Sequence, residues 1–145
     1  MKPRKNNNDK YNGLKSDLNL LAKFVYLYES KIKRYSTEKE FKTNFPNAFY
    51  VYKYELDKRI RPATKKDIQS LSPNDTITLY ITSGRYKVYD LCRHLRNSFS
   101  HALLEKEGKE LKIIDKSGSC NTSIGYLQYK FIVDFLKEII AVYEQ

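Results

Sequence analysis

The sequence predicts an all-α domain, a bundle of four to five helices with a small β-hairpin before the last helix, and three observations carry that expectation. From Tyr89 to Leu104, a turn of about 100° per residue brings Leu91, Leu95, Phe99 and Ala102 to one side, with Cys92 and Leu103 at its margin. In the closing segment, Gly125 to Tyr143, the residues Leu127, Phe131, Phe135, Ile139 and Val142 form one apolar stripe that Ile132, Leu136 and Ile140 widen. Between these segments, Leu111 to Asp115 and Ser119 to Ile124 flank the turn residues Lys116, Ser117 and Gly118, which is a hairpin pattern.

Residues 1–14 are polar and basic and read as a flexible tail, leaving 15–145 as one domain, since 145 residues are too few for two. Ser16 is an N-cap candidate for a helix to about Tyr35, in which Leu18, Leu21, Ala22, Val25, Tyr28 and Ile32 recur at three- and four-residue steps. Thr37-Glu38-Lys39-Glu40 has the form of a second helix start, and Pro46 ends or interrupts that helix. From Ala48, the spacing of Phe49, Tyr52, Lys53, Leu56 and Ile60 favours a helix over the strand that Tyr50-Val51-Tyr52 would also tolerate. Ser72-Pro73-Asn74-Asp75 is a turn or cap signal. From Thr76 to Thr82 propensity says strand, while Ile77, Tyr80 and Ile81 permit helix. Ser83-Gly84 then opens the central helix, which runs to about Leu104.

Lysine and arginine outnumber aspartate and glutamate 27 to 17, and the net charge of +10 suits either a polyanionic partner such as nucleic acid or a merely basic surface. The densest basic cluster, Arg59, Arg61, Lys65 and Lys66, is a candidate for phosphate contacts, and a solvated turn explains it equally well. Cys92 and Cys120 lack metal-ligand or redox spacing and read as reduced thiols of a cytoplasmic protein. Lys23 interrupts the apolar run after Lys2, Arg4 and Lys5, and no small-x-small site comes after it, so neither export nor a membrane span is expected. Paired carboxylates, a nucleophile elbow and a metal-ligand set are missing, which argues against glycosidase, α/β-hydrolase and metalloenzyme chemistry.

The central helix carries the chemistry. Opposite its apolar side it collects Arg93, Arg96, Asn97, Ser100 and His101, with His94 at the rim, a cationic and hydrogen-bonding strip suited to phosphate. Cleavage of RNA needs a base for the 2′-hydroxyl, a proton for the leaving oxygen and a cation for the phosphorane. Arg96 can supply the cation as a planar fork, His101 is the residue of this strip suited to proton transfer near neutrality, and Asn97 can orient either. Ser100 and Arg93 can add phosphate contacts. Arg96 and His101 stand about 140° apart around one helix, so two copies meeting across a symmetry axis would close the gap.

The run Arg96-Asn97-Ser98-Phe99-Ser100-His101, approached through Asp90 to Leu95 and followed by the small Ala102, resembles the R-x4-6-H motif of the HEPN superfamily. The likeness spans roughly residues 16 to 143 in element pattern and about ten residues in motif. It implies a metal-independent endoribonuclease without a cofactor, acting as a toxin or antiviral effector. It further implies a homodimer with a composite site leaving 2′,3′-cyclic phosphate ends, and a nucleotidyltransferase-like antitoxin as partner. On that reading Arg96 binds phosphate, His101 is the acid/base and Asn97 assists. His94 reads as a packing or surface histidine in preference to a second acid/base. The alternative is a non-catalytic module of the same fold that binds RNA or protein. A protein-only scaffold is the third class.

Overall fold

The computed structural model describes residue 11 and residues 13–71 and 78–144. It is a mixed α/β structure, which corrects the all-α expectation: helices pack on a five-stranded sheet of order β1-β2-β5-β4-β3. The strands are β1 (Ile60–Pro62), β2 (Leu79–Ile81), β3 (Leu104–Glu107), β4 (Glu110–Ser117) and β5 (Cys120–Gln128). The first two pair in parallel, and the other neighbours are antiparallel. The helices are α1 (Leu18–Ser30), α2 (Glu38–Asn44), α3 (Pro46–Val51), α4 (Lys65–Gln69), α5 (Lys87–Ser100) and α6 (Tyr129–Ala141).

The hairpin read from the sequence exists as β4 and β5, but it is the centre of a sheet and not an appendage to a bundle. Gly125, expected to start the last helix, lies in β5 between Leu79 of β2 and Ile113 of β4. Its φ is +142°, and a Cβ there would stand 2.1 Å from the Thr78 carbonyl oxygen, so only glycine lets β2 approach. Pairing with β2 at Gly125 and with β4 along residues 125–128 therefore holds this stretch as strand, and α6 begins at Tyr129. Ile60, Leu79, Gly125, Ile113 and Leu104 form one buried row across the five strands.

The central helix also ends earlier than expected, at Ser100. Ala102 takes φ +56°, while Leu103 N–H donates to Ser98 O at 2.7 Å and Ala102 N–H to Phe99 O at 3.0 Å. This is the 6→1 and 5→2 pair of a Schellman turn, with alanine where glycine is usual. The turn releases the chain into β3, so His101 caps the helix instead of lying within it.

Elsewhere local signals act only in part as read, since Ser16 does not cap α1 and Ile60, expected on the helix from Ala48, belongs to β1. Thr37 caps α2 by accepting from Glu40 N–H at 3.2 Å, and Pro46 occupies the first turn of a new helix, α3. A π-helical stretch, Tyr52–Leu56, and a 3-10 turn, Asp57–Arg59, carry the chain into β1. Helix α1 begins at Leu18 without a side-chain cap from Ser16, because a 3-10 turn, Lys15–Asp17, precedes it. Of the proposed tail, Tyr11 packs against Phe99 with rings tilted by 34° and centroids 5.0 Å apart, and Leu14 is fully buried; residues 1–10 and 12 lie outside the described residues. So does the Ser72-Pro73-Asn74-Asp75 signal, and the strand reading of the following segment holds over Leu79–Ile81.

Helix α5 packs across β4, while α1 packs on both α5 and α6, so α5 is covered on two sides. Among the described residues no helix is long and apolar enough to cross a membrane.

Candidate functional site

Two-sided packing changes the character of the polar strip on α5. His94, expected at the rim of the outer face, is fully buried. Its Nδ1 stands 2.9 Å from Oδ2 of Asp115, which is itself 2 % exposed on β4. An ionised carboxylate can only accept, so Nδ1 carries the proton of this contact. The other ring nitrogen, Nε2, faces Arg93 Nη2 at 3.3 Å and the Thr82 carbonyl at 3.2 Å. Arg93 Nη2 also donates to that carbonyl at 3.2 Å.

The same Asp115 Oδ2 accepts from Asn97 Nδ2 at 3.1 Å, and Asn97 Oδ1 accepts from Arg96 Nη1 at 2.9 Å. A continuous polar chain thus runs from the buried imidazole through Asp115 and Asn97 to a half-buried guanidinium. Arg96 Nε meets Glu29 Oε1 at 2.8 Å, with geometry that makes it an ion pair and not an aligned hydrogen bond. Burial pushes the Asp115 carboxyl up, but hydrogen bonds from His94 and Asn97, the attraction of the imidazole and a bond from Thr122 outweigh it and hold the group below the usual carboxylate range. Burial pushes the Cys92 thiol up, which keeps it protonated and unreactive; both cysteines are free.

The predicted residues separate into three groups. Arg96 and Asn97 are bonded to each other at the solvent edge of α5, and His101 is exposed one turn further on, at the helix cap. Among the described residues no hydrogen bond or ion pair holds the His101 side chain. Ser100, also exposed, ends the helix beside it. Arg93 is turned inward: besides its bond to Thr82 it lies 3.6 Å from Asp90 Oδ1, which leaves little of it for an outside phosphate. The third group, half-buried Arg59 with exposed Arg61, Lys65 and Lys66, sits at the β1 edge of the sheet and on α4. Among the described residues no hydrogen bond or ion pair links it to α5.

Sequence reading missed Glu29, Asp115 and Arg85. Arg85 donates from Nη1 to Lys33 O at 3.0 Å and lies 4.5 Å over the Tyr89 ring, which adds a cation beside the 3-10 turn Ile32–Arg34 that follows α1 and carries Lys33 and Arg34. Asp115 did carry a signal, since it shares the inward parity of Leu111 and Ile113 on β4.

Clefts of about 390 Å3 between α1 and α6 and about 500 Å3 beside the β3–β4 turn are lined by other residues, while Arg96 and Asn97 are half-buried and His101 is exposed. Comparison with known proteins found no matching family model, no matching curated protein and no matching solved structure.

Proposed function

We propose that this chain is a metal-independent endoribonuclease whose site is completed by a second copy of itself. Arg96 grips a non-bridging phosphate oxygen, and His101 of one copy takes the proton of the 2′-hydroxyl as it attacks phosphorus. His101 of the second copy, as imidazolium, protonates the 5′-oxygen as the P–O5′ bond breaks. The products are a 2′,3′-cyclic phosphate and a 5′-hydroxyl. The observation that carries the reading is the placement of Arg96, Asn97 and His101 at one solvent-facing helix end. There the guanidinium is oriented by Asn97, the imidazole is free among the described residues, and the adjoining Ala102 holds a backbone conformation that L-residues rarely adopt.

The resemblance of this run to the HEPN motif supports the same reading, on a mixed α/β scaffold. A motif at the exposed end of a helix fits a site formed between two protomers. A carboxylate against Arg96, that of Glu29, stands where a phosphate oxygen would, and it must yield for RNA to bind. In the cell the activity would be that of a cytoplasmic toxin or defence effector, restrained by an antitoxin.

The test is cleavage of single-stranded RNA by the purified chain in EDTA. The expected outcome is a cyclic-phosphate product, lost in His101→Ala with folding retained. Equal activity in that variant refutes the proposal. The pinning of Arg96 between Glu29 and Asn97 favours a second reading, a module that binds RNA without cutting it. That module would bind RNA in a salt-sensitive way and leave it intact.

A further inference from the structure

We infer that Asp115 is a positioning residue of this site, fixing the Asn97 amide and through it the Arg96 guanidinium that would hold the scissile phosphate. The inference rests on the ribonuclease reading and adds to it a residue from β4, outside the motif helix.

The geometry carries three steps. An asparagine amide can present either its oxygen or its nitrogen to a neighbour, and rotation about its last bond exchanges them. Asp115 removes that freedom: a carboxylate oxygen 3.1 Å from Nδ2 admits only the NH2 end, so Oδ1 must face Arg96 Nη1, which it meets at 2.9 Å. Asp115 is in turn held by His94 Nδ1 at 2.9 Å and lies where the β4–β5 register shifts, between Asp115 and Lys116. That irregularity belongs to the strand stretch from which this carboxylate reaches α5.

Burying an imidazole and a carboxylate together is a costly way to join a helix to a sheet, and apolar side chains would serve packing at least as well. Ser98 already ties α5 to β4 through a 2.7 Å bond to the Ile114 carbonyl. What the carboxylate adds is direction, aimed through Asn97 at the one guanidinium of the motif.

The test is single-turnover cleavage of a single-stranded RNA oligonucleotide in EDTA by the full chain, with His101→Ala as reference and thermal melts confirming folding. Asp115→Asn is expected to lower the saturating rate roughly ten- to a hundredfold while moving the half-saturating concentration by no more than about threefold. Because Asp115 would act through Asn97, adding Asn97→Ser to Asp115→Asn should cost little more than either change alone. A near-wild-type rate in Asp115→Asn, or losses that multiply in the double variant, overturns the positioning role while leaving the nuclease reading intact. Wild-type protein that fails to cut, or His101→Ala that cuts equally, overturns both. Should Asp115→Asn not fold, the His94→Gln/Asp115→Asn pair removes the carboxylate without stranding a charge, and its rates are read against the same two outcomes.

Discussion

Replacing His94 with leucine removes one half of a buried polar pair and leaves Asp115 with Asn97 and Thr122 as its partners. With side-chain exposures of 0 % for His94 and 3 % for Asp115, solvent cannot substitute for the lost imidazole. Breaking a pair buried this deeply costs about 3–5 kcal/mol, a large share of the roughly 5–15 kcal/mol that hold a domain together. In urea, at a slope of about 2 kcal/mol per molar, the midpoint should fall by about 1.5–2.5 M. The double variant His94→Leu/Asp115→Leu strands no charge, so it should recover to within about 1–2 kcal/mol of wild type. Equilibrium unfolding of the four proteins of this cycle measures the coupling directly. Losses below about 1 kcal/mol in His94→Leu, or losses that simply add, would refute the view that the two side chains act as one buried unit.

The same carboxylate sets a pH dependence. Its folded-state pKa is lowered, so its contribution is present above the ordinary aspartate value of about 3.9 and is lost as pH falls through the folded value. The stability gap between wild type and Asp115→Asn should therefore be widest near neutrality and narrow below about pH 4; an unchanged gap in acid contradicts it. Glu29→Gln removes the carboxylate that competes for Arg96. The pair is partly solvated, 30 % and 40 % exposed, so stability should change by less than about 1 kcal/mol while RNA affinity rises about two- to fivefold by fluorescence anisotropy at low salt. Weaker binding would mean that Glu29 orients Arg96 for its ligand. Gly125→Ala should cost at least about 3 kcal/mol in thermal or urea unfolding, since a Cβ 2.1 Å from Thr78 O meets backbone on a φ of +142°. A loss under about 1 kcal/mol would show that β2 can withdraw.

Much of the helical layer was legible because helix periodicity is a local property. Leu21 and Tyr28 of α1 and Phe135, Leu136 and Ile139 of α6 repeat at steps set by the helix itself and are buried as that repeat requires, although Ala22 of the expected α1 stripe is exposed and Phe24 and Leu27 are buried instead. The capping signal at Thr37 needed only residues three positions apart. The sheet was another matter: β1 and β2 span three residues each, too short for any alternation to register, and Ile60 pairs with Leu79 across a long intervening segment. In β5 the local pattern misled, because Leu127 and Phe131 also fit a helical stripe, and pairing with β4 as far as Gln128 overrode it.

For the site, residue types and spacing were enough to put Arg96, Asn97 and His101 on the outer, polar side of a helix, but not to show that α5 stops at Ser100 and leaves His101 at its cap. They could not show that His94 faces inward, since a single amphipathic stripe presumes one packing partner and α5 has the sheet on one side and α1 on another. Asp115 lies 21 residues beyond His94, and no periodicity joins the two. A charged residue at an inward strand position was the visible trace of that contact. The sequence alone marked the helical cores of α1, α5 and α6 and the β4–β5 hairpin, and it singled out candidate side chains for a phosphate. Tertiary packing alone decided that the hairpin anchors a five-stranded sheet and that a carboxylate from it reaches the motif helix, because long-range pairing is selected by the whole core and not by neighbours in the chain.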